Sequence, residues 1–207
     1  STSRGLGDVY KRQPEKVRFL EAAGFTQVVL ARELSLNEIR RTSEATTVPL
    51  EVFVHGALCV SYSGQCYLSA ALSGRSANRG ECAQYCRLPY TMVDATGTEI
   101  VSNKHLLSLK DMNRSDQLEA LLDAGVSSLK IEGRLKDAGY VKNITAYYRK
   151  KLDAVLSRRP EYRRASAGRS TYTFEPVAEK SFNRGFTTFL LEGRTADITA
   201  FNTPKSL

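Results

Sequence analysis

The chain of 207 residues is 42% hydrophobic and 25% charged, a composition that is typical of folded globular proteins and excludes a disordered one. Its apolar runs are only a few residues long, which argues against a transmembrane helix, and its N-terminus lacks the apolar stretch of a secretory signal. Lysine and arginine outnumber the acidic residues by 30 to 22, a surplus compatible with a polyanionic partner such as nucleic acid. We therefore expect a cytoplasmic protein.

Residues 1–13 show no period typical of a helix or a strand. They resemble a translated sequencing adaptor, and we predict that they are a non-native leader outside the fold. The chain does not begin with Met, and its last residues contain no terminating element. We therefore expect a piece of a longer protein.

Helix and strand signals alternate from residue 14 onward. Pro14 is favourable in the first turn of a helix, and Ser35 with Glu38 has the spacing of a capping box at the start of another helix. Short apolar runs that follow the helices predict buried strands. In chain order we expect a helix from Pro14 to Gly24, a strand at 25–31, a helix from Ser35 to residue 45 and a strand at 50–54.

The same alternation resumes after an irregular stretch that is rich in glycine, serine and cysteine, residues 56–87. We expect a hairpin at 90–94 and 99–101, a third core strand at 106–109, a helix that Ser115 caps, a fourth strand at 126–131 and a long amphipathic helix at 138–156. Beyond that helix, residues 171–174 and 186–191 have the character of strands.

Four strands that alternate with helices predict an α/β fold built from parallel βαβ units. An open doubly wound sheet and a (β/α)8 TIM-like barrel both use such units. Polar residues at each strand end favour the barrel, because barrel enzymes form their active sites there. These residues are Arg32 and Glu33, His55, Lys110 and Asp111, and Glu132 and Arg134.

Four strands do not close a barrel, so we interpret the chain as the C-terminal half of one. We place this partial barrel domain at 14–157, with a cysteine-rich, cluster-binding insertion at 56–103. A basic linker follows at 158–170, and we interpret 171–207 as the beginning of a truncated, small β-containing second domain.

All four cysteines, Cys59, Cys66, Cys82 and Cys86, lie in the irregular stretch with the spacing C-x6-C-x15-C-x3-C. Two disulfides, a zinc site, unrelated buried thiols and an iron–sulfur cluster are the alternatives. Disulfides are disfavoured because we expect a cytoplasmic protein, and the cytoplasm is reducing. A zinc site is only partly supported, because Cys82 and Cys86 have a spacing close to that of a zinc hook whereas Cys59 and Cys66 do not. Glycine-rich backbone can fold round a cluster, whose negative charge nearby arginines at 75, 79 and 87 can offset. Spacing alone leaves cluster and zinc almost equally favoured.

These residues resemble the collagenase-like peptidase U-32 family. The similarity covers about residues 14–157, and its combination of motifs is specific. The matching stretches include 31–35, 51–59, 62–69, 74–87 and Leu129-Lys130-Ile131-Glu132-Gly133-Arg134, and residues 181–186 are similar to the longer members. Residues 75–90 are most similar to the branch of the family that hydroxylates cytidine in ribosomal RNA.

The resemblance implies a barrel-like domain whose four cysteines hold a 4Fe–4S cluster. It implies C5 hydroxylation of a pyrimidine in ribosomal or transfer RNA, with prephenate as a co-substrate that supplies oxygen. Other members hydroxylate ubiquinone precursors.

Two groups of strand-end residues are candidates for further roles in such a site. Arg32, Lys130 and Arg134, with His55, are suited to bind a dicarboxylate or RNA phosphates. His55, Glu33 and Glu132 are candidate acid–base residues. Orienting the arginines is the alternative for the glutamates, and a place inside the core is the alternative for His55.

A peptidase is the rival hypothesis from another reaction class, and it depends mainly on the family name. The sequence has two histidines, no H-E-x-x-H motif and no G-x-S-x-G motif. A cysteine nucleophile requires one thiol and leaves the other three unexplained. A non-catalytic RNA-binding scaffold that carries the cluster is the third alternative.

Overall fold

The computed structural model describes residues 13–193 and 198–203, so nearly all of the predicted leader lies outside the described residues. The helices are α1 (Pro14–Ala22), α2 (Leu36–Glu44), α3 (Leu68–Ser73), α4 (Leu118–Asp123) and α5 (Ala138–Arg158). The strands are β1 (Val28–Val29), β2 (Leu50–Ala57), β3 (Tyr90–Val93), β4 (Glu99–Lys104), β5 (Asp111–Asn113), β6 (Val126–Ile131) and β7 (Phe186–Thr187). None of the helices in this part of the chain combines the length and apolarity needed to cross a bilayer.

Local sequence signals account for most of these elements. The capping box of α2 is confirmed, because Ser35 Oγ accepts the Glu38 amide at 3.4 Å and Glu38 Oε2 accepts the Ser35 amide at 2.7 Å. Asp137 caps α5 by accepting the Tyr140 amide at 2.7 Å. The hairpin β3–β4 and strand β6 lie where the sequence predicts them.

The main sheet is centred on β2, which pairs in parallel with β1 and β6 and antiparallel with β5. Strand β7 then pairs in parallel with β5. The prediction of a third core strand at 106–109 is wrong. Leu107 is 41% exposed and Leu109 forms only an isolated bridge, whereas Met112, inside β5, is fully buried against β2. The sheet is therefore mixed, and the half-barrel architecture stays a prediction.

The main core lies between this sheet and the helices that pack on it. Val17, Leu20, Ile39, Leu121 and Ile144 supply helix side chains, and the strands contribute alternate residues of β2. A smaller cluster of Leu58, Leu109 and Met112 lies beneath the start of the cysteine-rich stretch.

The described residues after 171 join the same sheet and core. Phe186 pairs with Asp111, and Leu191 is 2% exposed inside the main cluster. The predicted strand at 171–174 is wrong, and the one at 186–191 is limited to β7. The boundary of a second domain stays a prediction.

Charge in the basic linker is largely paired within the chain. Arg159 forms ion pairs with Glu119, Asp123 and Glu161 at 2.6–2.7 Å, and Arg158 pairs with Glu119 at 3.1 Å. Exposed pairs of this kind add little stability. They do, however, neutralise two arginines that the sequence presents as a basic run.

Candidate functional site

The site lies where β2 ends and the cysteine loop, residues 59–86, begins. Gly56 has a φ of +112°, and a Cβ at this position would stand 2.7 Å from the Glu132 carbonyl oxygen. Glycine is therefore required for β2 and the residue after β6 to approach this closely. This contact places Glu132 next to the start of the cysteine loop.

The four cysteines are free thiols, so the disulfide alternative is not observed. Burial raises the pKa of Cys86, the Arg87 charge opposes this effect, and charge on the other three thiols raises the pKa further. All four sulfurs are therefore within electrostatic reach of one another. The backbone amide of Gln84 donates to Cys82 Sγ at 3.4 Å.

Among residues 13–193 and 198–203, no three His, Cys, Asp or Glu side chains are grouped closely enough to hold a single metal ion. The cysteines thus share one region without forming a compact tetrahedral set. The zinc and cluster alternatives therefore both stay predictions.

Glu33 anchors the first part of the cysteine loop. Its Oε1 accepts the Ser63 amide at 2.6 Å, midway between Cys59 and Cys66. Arg134 holds a later part of the loop, because its guanidinium donates to the Gly80 carbonyl at 3.1 Å. Two predicted site residues therefore contact the segment that carries the cysteines.

Glu132 orients the arginines of the site. Its carboxylate accepts Arg32 at 3.2 Å and the Arg134 amide at 2.9 Å. The Arg32 guanidinium also lies 4.4 Å from the centre of the Phe53 ring, and this stacking limits its rotation. The structure thus brings together Arg32, Glu132 and Arg134, and favours the orienting role for Glu132.

Lys130 also lies over the same aromatic ring, with its ammonium 5.4 Å from the centre of Phe53. Its ammonium is paired with Glu51 Oε1 at 3.1 Å, and Glu51 belongs to the first half of β2. A substrate would have to compete with this carboxylate for Lys130.

His55 is 2% exposed and lies inside the aromatic core. Its Nδ1 is 3.2 Å from the Tyr148 hydroxyl, and its ring centre is 5.4 Å from those of Tyr148 and Phe186. Burial lowers the pKa of His55 to about 4, so the imidazole is neutral near pH 7. The geometry favours the core alternative over the acid–base role.

Sequence reasoning missed two buried arginines behind the site, and it named Asp111 as a strand-end residue without predicting its burial in an ion pair. Arg184 and Asp111 form an ion pair at 3.0 Å with side chains that are 2% and 4% exposed. Arg114 donates to the carbonyls of Phe53 and Arg32, and burial lowers its pKa to about 10. Arg184 lies in the family motif at 181–186, whereas no local pattern marks Arg114 for burial.

A cavity of about 950 Å³ opens at the N-terminus of α5, next to Arg134. Lys136 lies over the Phe182 ring at 4.5 Å and helps to line the cavity. Lys142, Lys180, Phe174, Asp137 and Glu175 are also part of its wall.

Comparison with known proteins identifies the family. The profile of peptidase family U32 matches residues 10–200. The chain belongs to peptidase family U32. This confirms the resemblance seen in the cysteine loop and in residues 129–134.

Three characterised proteins illustrate what the chain is similar to. The chain is 56% identical over 94% of its length to the Escherichia coli 23S rRNA 5-hydroxycytidine C2501 synthase, of which it covers 30%. It is 39% identical over 67% of its length to the Bacillus subtilis tRNA hydroxylation protein P1, covering 34% of that protein. It is 37% identical over 77% of its length to a Porphyromonas gingivalis collagenase, covering 40%. The chain thus spans less than half of each relative, and no solved structure matches it.

Proposed function

We propose that this U32 protein is an iron–sulfur-dependent RNA pyrimidine C5-hydroxylase that forms 5-hydroxycytidine in 23S ribosomal RNA. The observation that carries the proposal is the 56% identity, over 94% of the chain, to the Escherichia coli synthase of that nucleoside. A ribosomal RNA substrate would place the protein in the cytoplasm.

Cys59, Cys66, Cys82 and Cys86 would hold a 4Fe–4S cluster. Each thiolate binds a different iron in such a cluster, so its ligands stand farther apart than those of a single ion. The four thiols lie in one loop, and the charges of Cys59, Cys66 and Cys82 act on Cys86, which supports this set of ligands. The Gln84 amide that donates to the sulfur of Cys82 also fits, because N–H···S bonds stabilise electron-rich clusters. When bound, the cluster supplies electron transfer beside the strand ends.

Side chains around the cysteine loop would bind and orient the other reactants. Hydroxylation replaces the C5 hydrogen with a hydroxyl group and removes two electrons from the base. It therefore needs an oxygen source, for which we propose prephenate, and an electron acceptor that takes both electrons. The guanidinium groups of Arg32 and Arg134, fixed by Glu132 and the loop backbone, match a dicarboxylate. The lysines and phenylalanines of the α5 cavity are groups that contact phosphates and stack on bases, so we place the RNA on that side.

Hydroxylation of a tRNA uridine is the second candidate. It is supported by the 39% identity to tRNA hydroxylation protein P1. The wall of the site contains no feature that selects cytidine over uridine among the described residues. The two RNA substrates therefore have to be separated by experiment.

The test begins with purification of the protein without oxygen. We expect the brown absorbance of an iron–sulfur cluster and bound iron in the wild type, and the loss of both in Cys82→Ser. Thr96→Ala, in the exposed turn of the β3–β4 hairpin, is the matched control and should retain both.

Mass spectrometry of 23S ribosomal RNA and tRNA from a strain without the gene then identifies the substrate. Loss of 5-hydroxycytidine from 23S rRNA, restored by the wild type and not by Cys82→Ser, supports the proposal. Loss of a hydroxylated uridine from tRNA alone supports the second candidate. Unchanged RNA of both kinds refutes both.

A further inference from the structure

Arg87 directly follows the last cysteine and turns its guanidinium into the protein. The residue is 5% exposed, and its side chain contacts both ends of the cysteine loop. Nη2 donates to the carbonyl of Leu58, the residue before Cys59. Nη1 donates to Ser108 Oγ at 2.8 Å and to the Leu109 carbonyl at 2.7 Å, beside the sheet. The guanidinium of Arg87, at the end of the loop, thus connects the start of the loop to the segment before β5.

The backbone of Arg87 adds a further connection. Its carbonyl lies 2.9 Å from His105 Nδ1, in the segment that follows the hairpin. The other arginines of the loop differ from Arg87, since Arg75 and Arg79 are exposed to solvent. Of the three arginines that the sequence suggests as counter-charges to a cluster, only Arg87 is held by the core.

The charge of Arg87 is poorly balanced by the protein. Its three side-chain acceptors are a hydroxyl and two carbonyls, all neutral. The buried carboxylate of Asp111 is shared with Arg184, which lies at 3.0 Å from it. A buried cation is costly without nearby negative charge. The thiol groups whose charges act on Arg87 are those of Cys86 and Cys59.

We propose that Arg87 is a positioning residue that clamps the two ends of the cysteine loop to the sheet and raises the reduction potential of the bound cluster through its permanent charge. The second half of this statement rests on the proposed cluster, whereas the clamp does not. A positive charge beside the thiolates favours the reduced cluster, because that state carries the extra electron.

The clamp is tested on the metal-free chain by hydrogen exchange. In Arg87→Gln we expect faster exchange across residues 59–86, with unchanged exchange in β2 and β6. Arg79→Gln removes an exposed arginine from the same loop and should leave the exchange as in the wild type. Equal loop exchange in Arg87→Gln and Arg79→Gln overturns the clamp.

The charge effect is tested by redox titration of the cluster-loaded protein, followed by its absorbance. At a fixed applied potential, Arg87→Gln should lower the ratio of reduced to oxidised cluster about tenfold, or about 59 mV for a one-electron couple. Arg87→Lys keeps the charge but loses the fork, so its potential should stay near that of the wild type while its loop exchange is faster. An unchanged potential in Arg87→Gln overturns this half of the proposal.

Iron binding and hydrogen exchange together distinguish a failure of the proposed function from a failure of the clamp. If the wild type binds no iron, the proposed function fails, while hydrogen exchange still decides the clamp. Should Arg87→Gln not fold, Arg87→Lys takes its place, and loop exchange equal to that of Arg79→Lys overturns the clamp.

Discussion

His55 and Glu33 occupy comparable places in the chain but opposite surroundings in the structure. Glu33 follows β1 and His55 lies in the last part of β2, the strand that pairs with β1, and both carry side chains suited to proton transfer. His55 points into the core, where Tyr148 and other aromatic rings enclose it. Glu33 points to the cysteine loop and accepts the Ser63 amide. A strand end therefore gives the location of a side chain but not its role.

The difference arises from the closeness of each residue to the sheet. His55 lies within β2 and is paired with Asn113 and Ile131, so its side chain is committed to one face. Glu33 lies beyond β1, where the backbone is free to direct the carboxylate toward the loop. We therefore expect changes at His55 and Tyr148 to alter the stability of the whole chain, and changes at Glu33 to alter the loop.

The largest expected effect is a loss of stability in acid that comes from His55. The pKa of this group is 6.5 in its ordinary state and about 4 in the folded chain. Between these values the unfolded state binds a proton that the folded state does not, so the stabilisation present above pH 6.5 is lost as the pH falls toward 4. We expect His55 alone to lower the free energy of unfolding by about 3 kcal/mol over this range.

Denaturant unfolding at a series of pH values measures this contribution. His55→Gln should flatten the pH dependence between 4 and 6.5, even though it lowers stability overall. Arg79→Gln, at an exposed position, is the control and should retain the wild-type slope. Equal slopes for the wild type and His55→Gln would show that the histidine is accessible to protons in the folded state.

The next largest effect is expected when the hydroxyl of Tyr148 is removed. Tyr148 is a buried residue, with 4% of its surface exposed. Its partners are the Val54 carbonyl at 2.7 Å, Asn113 Oδ1 at 3.0 Å, the Arg114 amide at 3.2 Å and His55 Nδ1 at 3.2 Å. Tyr148→Phe leaves these buried groups short of a partner and should lower the free energy of unfolding by about 2 kcal/mol.

Tyr147→Phe is the matched control for this change. The Tyr147 hydroxyl has one contact, with Ser115 Oγ at 3.2 Å, and its loss should cost about 0.5 kcal/mol. Iron binding should be retained by both variants. A Tyr148→Phe protein as stable as Tyr147→Phe would mean that the hydroxyl network does not support the core.

The fold was predictable where local signals and periodicity agree. Proline at the start of α1, the capping box of α2 and the apolar period of α5 are all encoded within a few residues. Strand β5 was misplaced because its sequence, Asp111-Met112-Asn113, offers one apolar residue, while the leucines at 106–109 offer three. Its pairing with β2 depends on contacts between distant segments, and the antiparallel direction has no local signal.

The site was predictable as a neighbourhood but not as a set of contacts. Strand ends and clustered cysteines pointed to residues that the structure brings into contact, as Arg134 and Gly80 show, and the family resemblance is confirmed. Burial of His55, and of arginines at 87, 114 and 184, depends on tertiary acceptors such as the carbonyls of Leu58 and Phe53. Composition suggests that arginines lie in solvent, so their burial is visible only in the fold.

Apart from the Tyr147→Phe control, the smallest expected effect on stability, and the sharpest contrast with His55, comes from Glu33. Glu33→Ala removes the acceptor of the Ser63 amide and should speed hydrogen exchange at Ser63 and its neighbours in the cysteine loop. Glu33→Gln keeps a side-chain oxygen at the same position and should have a weaker effect. We expect the free energy of unfolding of the whole chain to fall by only about 1 kcal/mol in Glu33→Ala, because the lost bond supports a loop and not the core. Peptide-resolved exchange compares residues 59–66 with 50–55, and equal acceleration of both would place Glu33 in the framework together with His55.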